Sequence, residues 1–521
     1  MCLEVMRKTG ESWGLLCALL YGVLGLAAMY AMTSDGMGVS VDSERYLIAA
    51  NHLKEMEVER TVKAISPHFP VFYPMMVAVV QFLGRDEGVD AARIVSVLSF
   101  AVSLIVIFFL GLRIQGKPTA HLSAISFLIL APLIYTFSYC WSETVYIVLS
   151  LLFMFMLIRF LNAPERREST YLVGSGVFAG LGFLTRYVGL SLVGTGLLII
   201  LLLSRQGRIS RSIKQALVFG LVSVLPMFIY VLLDFLSLGT LKRESVPAVF
   251  SLPEQLVRFL ATIYHDLLSF DLAFDKYLFF FNGINPVNKL SSPFFWLSII
   301  ILLCLLLFIV LFARVTLSSR SFRRSLGPKK VLALYVALYS LLLVGTTASV
   351  RVDPLGSRFT TPLYPFITLL VFSVVFDICR AFKGRRMKRV LLDLAILATC
   401  LFWGIQSIST ASIYRGISSG SFPAMEHPGN HNRASLQFLQ SSLSSNDHVI
   451  TNVPYKLSFI WPRDLPYWSI SQLDQFLNQM GDRLSDTGLS FALHRRSCHR
   501  PVSGNVSQEW FQTQLPPSSR S

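Results

Sequence analysis

The chain has 521 residues, 53% of them hydrophobic and only 15% charged, with a mean hydropathy of +0.57. Soluble domains carry about 25% charged residues and single soluble cores stop growing near roughly 250–300 residues, so a soluble globule is excluded. The formal charge of +16 falls in short basic clusters between apolar runs, with no basic face interleaved with aromatics; that excludes nucleic acid as a partner and reads as topology signal and contact with anionic membrane lipids.

In chain order, the first apolar run spans 13–33, preceded by Arg7 and Lys8. It is longer than the roughly 7–15-residue core of a signal peptide, so a retained signal anchor is expected. Further runs long enough to cross a bilayer, about 20 residues, lie at 91–112, 121–140, 143–161, 216–236, 293–313, 331–349, 359–379 and 390–410. Two stretches are ambiguous: 68–84 is short and interrupted by Pro70 and Pro74, and 172–203 is too long for one crossing.

Lysine and arginine placement decides both. Clusters at Arg7/Lys8, Arg113/Lys117, 159–167, 205–214, 314–330 and 380–389 all fall on one side only if 68–84 does not cross and 172–203 crosses twice. The positive-inside bias then gives about 11 transmembrane helices, N-terminus cytoplasmic and C-terminus outside. The 172–203 stretch becomes two helices broken near Thr185-Arg186-Tyr187.

The outside segments are the loop 34–90, the tip 140–142, the region 237–292, the loop 350–358 and the tail from 411. In the tail, 434–443 reads as a helix and 449–453 as a strand, a small α/β appendage over 411–491; 492–521 lacks periodicity and reads as disordered. The seven cysteines are odd in number and mostly within apolar runs (Cys17, Cys140, Cys304, Cys379, Cys400), without metal spacing; they read as small hydrophobic fillers.

Candidate chemistry gathers on the outside. Asp42 precedes a short amphipathic helix on which Tyr46, Leu47 and Ala50 share a face. It reads either as a helix N-cap or as a general base, its carboxylate held at the membrane face away from bulk water. His68, in the corner Ser66-Pro-His-Phe-Pro-Val-Phe-Tyr-Pro, could meet a substrate oxygen or a metal, or be structural. Glu143, in Trp141-Ser-Glu-Thr, is either a functional acid at membrane depth or a first-turn acid favoured by the helix dipole. Arg186 with Tyr187 marks the helix break; the arginine faces a cavity or snorkels to the interface. Arg351 and Arg358 run against the charge rule, as do Lys242 and Arg243; they suit a lipid phosphate or pair with Asp353 and Glu244.

These pieces come in a recognisable order. Asp42-x-x-x-Tyr46 follows the first run, then come His68-x-Pro70-x-x-Tyr73-Pro74 and Ala91-Ala92-Arg93. Ser-Glu-Thr at 142–144, Gly-Leu-x-x-Leu-Thr-Arg-Tyr-Val-Gly-Leu ending at Leu190, and Arg358-Phe-x-x-Pro-Leu-Tyr-Pro365 complete the series. The series resembles the GT-C integral-membrane glycosyltransferases, in the branch of protein mannosyltransferases and lipid A aminoarabinose transferases, over residues 10 to 410.

The resemblance implies transfer of a sugar from a polyprenyl-phosphate-linked donor to a glycan, lipid or protein acceptor, with inversion. Asp42 would be the catalytic carboxylate, and Tyr46, His68, Glu143, Arg186, Tyr187, Arg351 and Arg358 would bind substrate, the arginines holding the donor phosphate. Many relatives carry adjacent Asp-Glu in the first loop, where Ser43 here separates Asp42 from Glu44. No metal ligand is identified, and a need for a divalent cation stays open. The expectation is an all-α polytopic protein of a bacterial plasma membrane, with a transmembrane domain at 1–410. The alternatives are a transporter or flippase of a lipid-linked substrate, for which ionisable residues near mid-membrane and internal repeats are wanting, and a membrane scaffold with a degenerate site.

Overall fold

The computed structural model describes residues 2–34, 36–65, 69–84, 88–203, 209–238, 251–268, 327–349, 356–381, 385–418, 449–451 and 467–469. The chain divides into two compact units, Met1–Phe438 and Leu439–Ser521. The described part of the second is a two-stranded parallel ladder, β1 (Val449–Thr451) and β2 (Tyr467–Ser469), with Val449 opposite Tyr467. The span at 293–313, the helix at 434–443 and the tail 492–521 lie outside the described residues.

The first unit is helical. It runs α1 (Cys2–Met32), α2 (Val41–Lys54), α3 (Val58–Ile65), α4 (Phe72–Gly84), α5 (Gly88–Ile114), α6 (Lys117–Ile129), α7 (Ala131–Phe137) and α8 (Glu143–Asn162). Then follow α9 (Glu165–Thr185), α10 (Leu190–Leu203), α11 (Ile209–Leu238), α12 (Leu252–Leu268), α13 (Gly327–Ser349), α14 (Ser357–Thr360), α15 (Tyr364–Ala381) and α16 (Arg385–Ser418). Among the described residues seven helices are long and apolar enough to cross a membrane, or eight when α6 and α7 are taken as one bent span. They fall on the runs expected at 13–33, 91–112, 143–161, 216–236, 331–349, 359–379 and 390–410, with the bent pair on 121–140.

That bend is a difference from the single straight crossing read in the sequence, and its cause is local. Pro132 has no N–H to donate and its ring opposes helix continuation, so the chain breaks at Leu130 and turns by 58°. The groups freed by the break are taken up by α16: Ala131 N donates to Gln406 Oε1 (3.0 Å), and Thr410 Oγ1 donates to the Ile129 carbonyl (2.9 Å). Leaving such buried groups unpaired would cost about 1–3 kcal/mol each.

The two ambiguous stretches form a short helix after Pro70 and a pair of helices broken at Arg186. Helix α4 has 13 residues, about 20 Å at 1.5 Å per residue, which is short of a hydrocarbon core of roughly 30 Å. It packs against α2, with Tyr46 and Tyr73 rings edge-on at 5.1 Å. The 172–203 stretch breaks at Arg186, whose backbone is extended between α9 and a 3-10 turn at Tyr187–Gly189.

α5 and α8 form the middle of the bundle, α5 against α1 and α6, α8 against α5 and α9. Phe100, Phe108, Phe127, Phe137, Phe153 and Tyr146 are fully buried between them, whereas α11 and α16 keep most of their apolar surface outward. At one end of the bundle Lys329 pairs with Asp377, which also accepts from Gln115. The other end holds the polar site.

Candidate functional site

Four segments converge there: the start of α2, the tip between α7 and α8, the α9–α10 break and α14. The charge rule had put all four on one side of the membrane, and they do meet. The first two are stitched by backbone: Gly38 N donates to the Ser138 carbonyl (2.9 Å) and Cys140 N donates to the Gly38 carbonyl (3.0 Å). The Tyr139 ring lies where a side chain at 38 would go, 2.6 Å from an ideal Cβ, so only glycine lets the strands approach.

Asp42 does not cap its helix. The cap is Ser40, whose hydroxyl accepts from Ser43 N, while Ser43 Oγ accepts from Ser40 N in a reciprocal box. Ser43 thus occupies the place usually taken by Glu or Gln in such a box. Asp42, one position into the helix, is released from capping and reaches Arg358 Nη1 in an ion pair. Trp141 Nε1 donates to Ser40 Oγ (2.9 Å), tying the cap to the tip.

Glu143 begins α8 and is fully buried. One of its oxygens, Oε1, meets both Arg186 Nη1 and Arg358 Nε. The dipole of α8 favours an acid at this position, but the two guanidinium groups are what make a buried carboxylate tenable. Arg358 therefore bridges two carboxylates, and the cluster Asp42, Glu143, Arg186 and Arg358 balances two negative against two positive charges. Its walls are aromatic: the Arg358 guanidinium lies 4.7 Å from the Trp141 ring centroid, and Phe359 is 5.7 Å from both arginines. Such faces attract cations through their quadrupole.

Tyr46 OH and Ser142 Oγ share a hydrogen bond of 3.0 Å, placing the phenol under the cluster. Burial first, and the neighbouring Asp42 carboxylate second, push this phenol above the usual tyrosine range. Arg186 owes its position to the break: Arg186 N caps α9 by donating to Gly182 O (3.0 Å), and Gly189 N donates to Arg186 O (2.8 Å). A Cβ at Gly189 would sit 2.4 Å from Phe183 N, so the Gly at the end of the motif is what closes the turn. Tyr187 follows with its ring edge-on to Phe183 at 5.6 Å.

Of the eight candidates, Asp42, Tyr46, Glu143, Arg186 and Arg358 are brought together, and Tyr187 adjoins them. His68 and Arg351 lie outside the described residues, as do Lys242, Arg243, Glu244 and Asp353. Sequence reasoning missed Trp141 and Phe359 as ring partners, although both stand inside quoted motifs beside a charge. It also missed Asp266 of α12, which accepts from the hydroxyls of Ser357 and Thr360 on either side of Arg358. For a cation, His52, Glu55 and Glu57 group together at the end of α2. There Glu57 is already engaged by His52 Nδ1 (3.0 Å) and by Arg60 Nη1 (2.8 Å).

Residues 68–230 match the family model of dolichyl-phosphate-mannose-protein mannosyltransferase. No match was found among curated protein sequences. Among solved structures, ArnT from Cupriavidus metallidurans in the apo state superposes with a TM-score of 0.51 at 11% identity, over 88% of this chain and 86% of that one. The same protein bound to undecaprenyl phosphate gives a TM-score of 0.51 at 12% identity, over 86% and 85%. The chain thus shares the fold of the ArnT structures, and with seven or eight candidate spans among the described residues it is a multi-pass membrane protein.

Proposed function

We propose that the protein is a glycosyltransferase that moves a sugar from a polyprenyl-phosphate-linked donor to an acceptor at the outer face of the membrane, with inversion at the anomeric carbon. The observation that carries this reading is the Arg358 bridge, which sets two guanidinium groups and two carboxylates at one point of the bundle end. The leaving group of such a reaction is a lipid phosphate, and preorganised cations aimed at it stabilise the charge that develops as the sugar–phosphate bond breaks. Arg358 carries five N–H donors, so it can take a phosphate oxygen while still holding a carboxylate. Arg186 offers the second cation.

Asp42 is the base. It removes the acceptor's proton as the acceptor atom attacks the anomeric carbon from the face opposite the phosphate, and the C–O bond to the phosphate breaks with its electron pair. Glu143 holds the two arginines together on one oxygen and offsets part of their charge. The transmembrane domain, 1–410, does the chemistry, and 411–491 is a small outside appendage. The test is release of polyprenyl phosphate from a panel of polyprenyl-phosphate sugars, in membranes containing wild-type protein or Asp42→Asn. Wild type should turn over at least one donor, with the variant slower by about 10²–10⁴-fold. Equal release by the two, or none from any donor, would overturn the proposal.

A further inference from the structure

Arg358 sits in α14, a helix of four residues. Isolated helices are marginal below about 12–15 residues, so so short a turn owes its conformation to what surrounds it. Its anchor is Asp266, near the C-terminal end of α12 and fully buried. Ser357 Oγ donates to Asp266 Oδ1 (2.8 Å), while Thr360 Oγ1 (3.2 Å) and Tyr364 OH meet Oδ2. The same carboxylate therefore grips the residue before Arg358, the residue closing its turn and the first residue of α15.

Three further bonds fix the grip from behind. Gln406 Nε2 donates to the backbone carbonyls of Asp266 and Leu267 (both 3.1 Å), and Tyr339 OH donates to the Phe359 carbonyl (2.8 Å). Helix α12 is built for this position: Gln255, Phe259, Thr262 and Asp266 are buried on one face, while Leu252, Leu256, Val257 and Leu260 are exposed on the other. A buried acid that accepts from three hydroxyls orients all three. Each of those hydroxyls belongs to the segment that aims Arg358.

We propose that Asp266 is the positioning residue of the donor-phosphate site, acting through Arg358 by holding α14 in register with Asp42 and Glu143. The inference rests on the phosphate role given to Arg358 above. The experiment is a double-mutant cycle on the affinity of purified, detergent-solubilised full-length protein for undecaprenyl phosphate, with wild type, Asp266→Ala, Arg358→Ala and the double variant. Arg358→Ala should weaken binding by at least about tenfold, and Asp266→Ala by roughly five- to tenfold.

In the Arg358→Ala background the Asp266 substitution should add less than about twofold, because residues acting through one group are not additive. A merely structural role would lower affinity by the same factor in both backgrounds, and that result overturns the proposal, as does an Asp266→Ala protein that binds like wild type. Should Asp266→Ala not fold, the same cycle with Ser357→Ala and Tyr364→Phe, which remove its donors singly, decides by the same criterion. If Arg358→Ala itself binds undecaprenyl phosphate as wild type does, the phosphate site of the proposed function is what fails, and this inference falls with it.

Discussion

Replacing Glu143 by alanine removes the carboxylate oxygen on which Arg186 Nη1 and Arg358 Nε meet. Two charge-assisted bonds are lost, each worth about 1.5–3 kcal/mol, and breaking a buried pair by deleting one partner costs about 3–5 kcal/mol. The arginine side chains keep 15% and 14% of their surface exposed, so water can reach them and the lower end, about 3 kcal/mol, is expected. Glutamine should cost less, because its amide oxygen still accepts from both. The deletion also leaves the cluster with two cations and one anion, which is an anion site. Undecaprenyl phosphate at one fixed concentration, about 100 times the variant's Kd, should then return about 2.7 kcal/mol to the variant, nearly the whole loss, and less to the wild type. The assay is thermal unfolding in detergent with and without the lipid phosphate, backed by SDS titration for the free energy. A Glu143→Ala protein within about 1 kcal/mol of wild type, with no larger gain from the lipid than wild type shows, would refute this account of the cluster.

Three further outcomes follow from the same geometry. Gly38→Val puts methyl groups into the Tyr139 ring, 2.6 Å from the Cβ position; overpacking of this kind costs about 1–3 kcal/mol, and the loss of register at Asp42 should lower turnover more than it lowers the melting temperature. Gln406→Ala strands Ala131 N and the Asp266 and Leu267 carbonyls, so a loss of at least about 3 kcal/mol is expected by SDS titration at roughly 1–3 kcal/mol per buried orphan. Tyr46→Phe probes pH: the folded state holds the phenol proton that the unfolded chain releases near pH 10. Stability therefore falls as pH rises above about 10, and the variant should show a shallower fall between pH 9 and 11 in thermal unfolding, all other tyrosines being equal (roughly one proton's worth of slope).

What could be read from the sequence, and what could not, divides along the distance over which each signal acts. The break at Arg186 was legible because glycine spacing and a lone charge in an apolar run are local, and the charge rule then required it. The α6–α7 bend had a local sign too, Pro132, but an apolar run of the right length masks it unless the proline is given weight over hydropathy. Of the two readings of Asp42, helix cap or free carboxylate, the cap falls to Ser40 through its pairing with Ser43. That small difference is what frees the carboxylate for Arg358.

The bridge itself joins residues 316 and 215 positions apart, and no periodicity encodes such a contact. Only motif order suggested that Asp42, Glu143 and Arg358 belong to one place. Asp266 had no motif around it at all. Its one signal was a helical face spaced four, three and four residues, 255, 259, 262 and 266, that is polar at three of its four positions while the opposite face is apolar. At the surface of a soluble protein that pattern would point outward to water. Where the surrounding solvent is lipid, the apolar face turns out and the polar face turns in, so the same pattern marks the residues that hold the site.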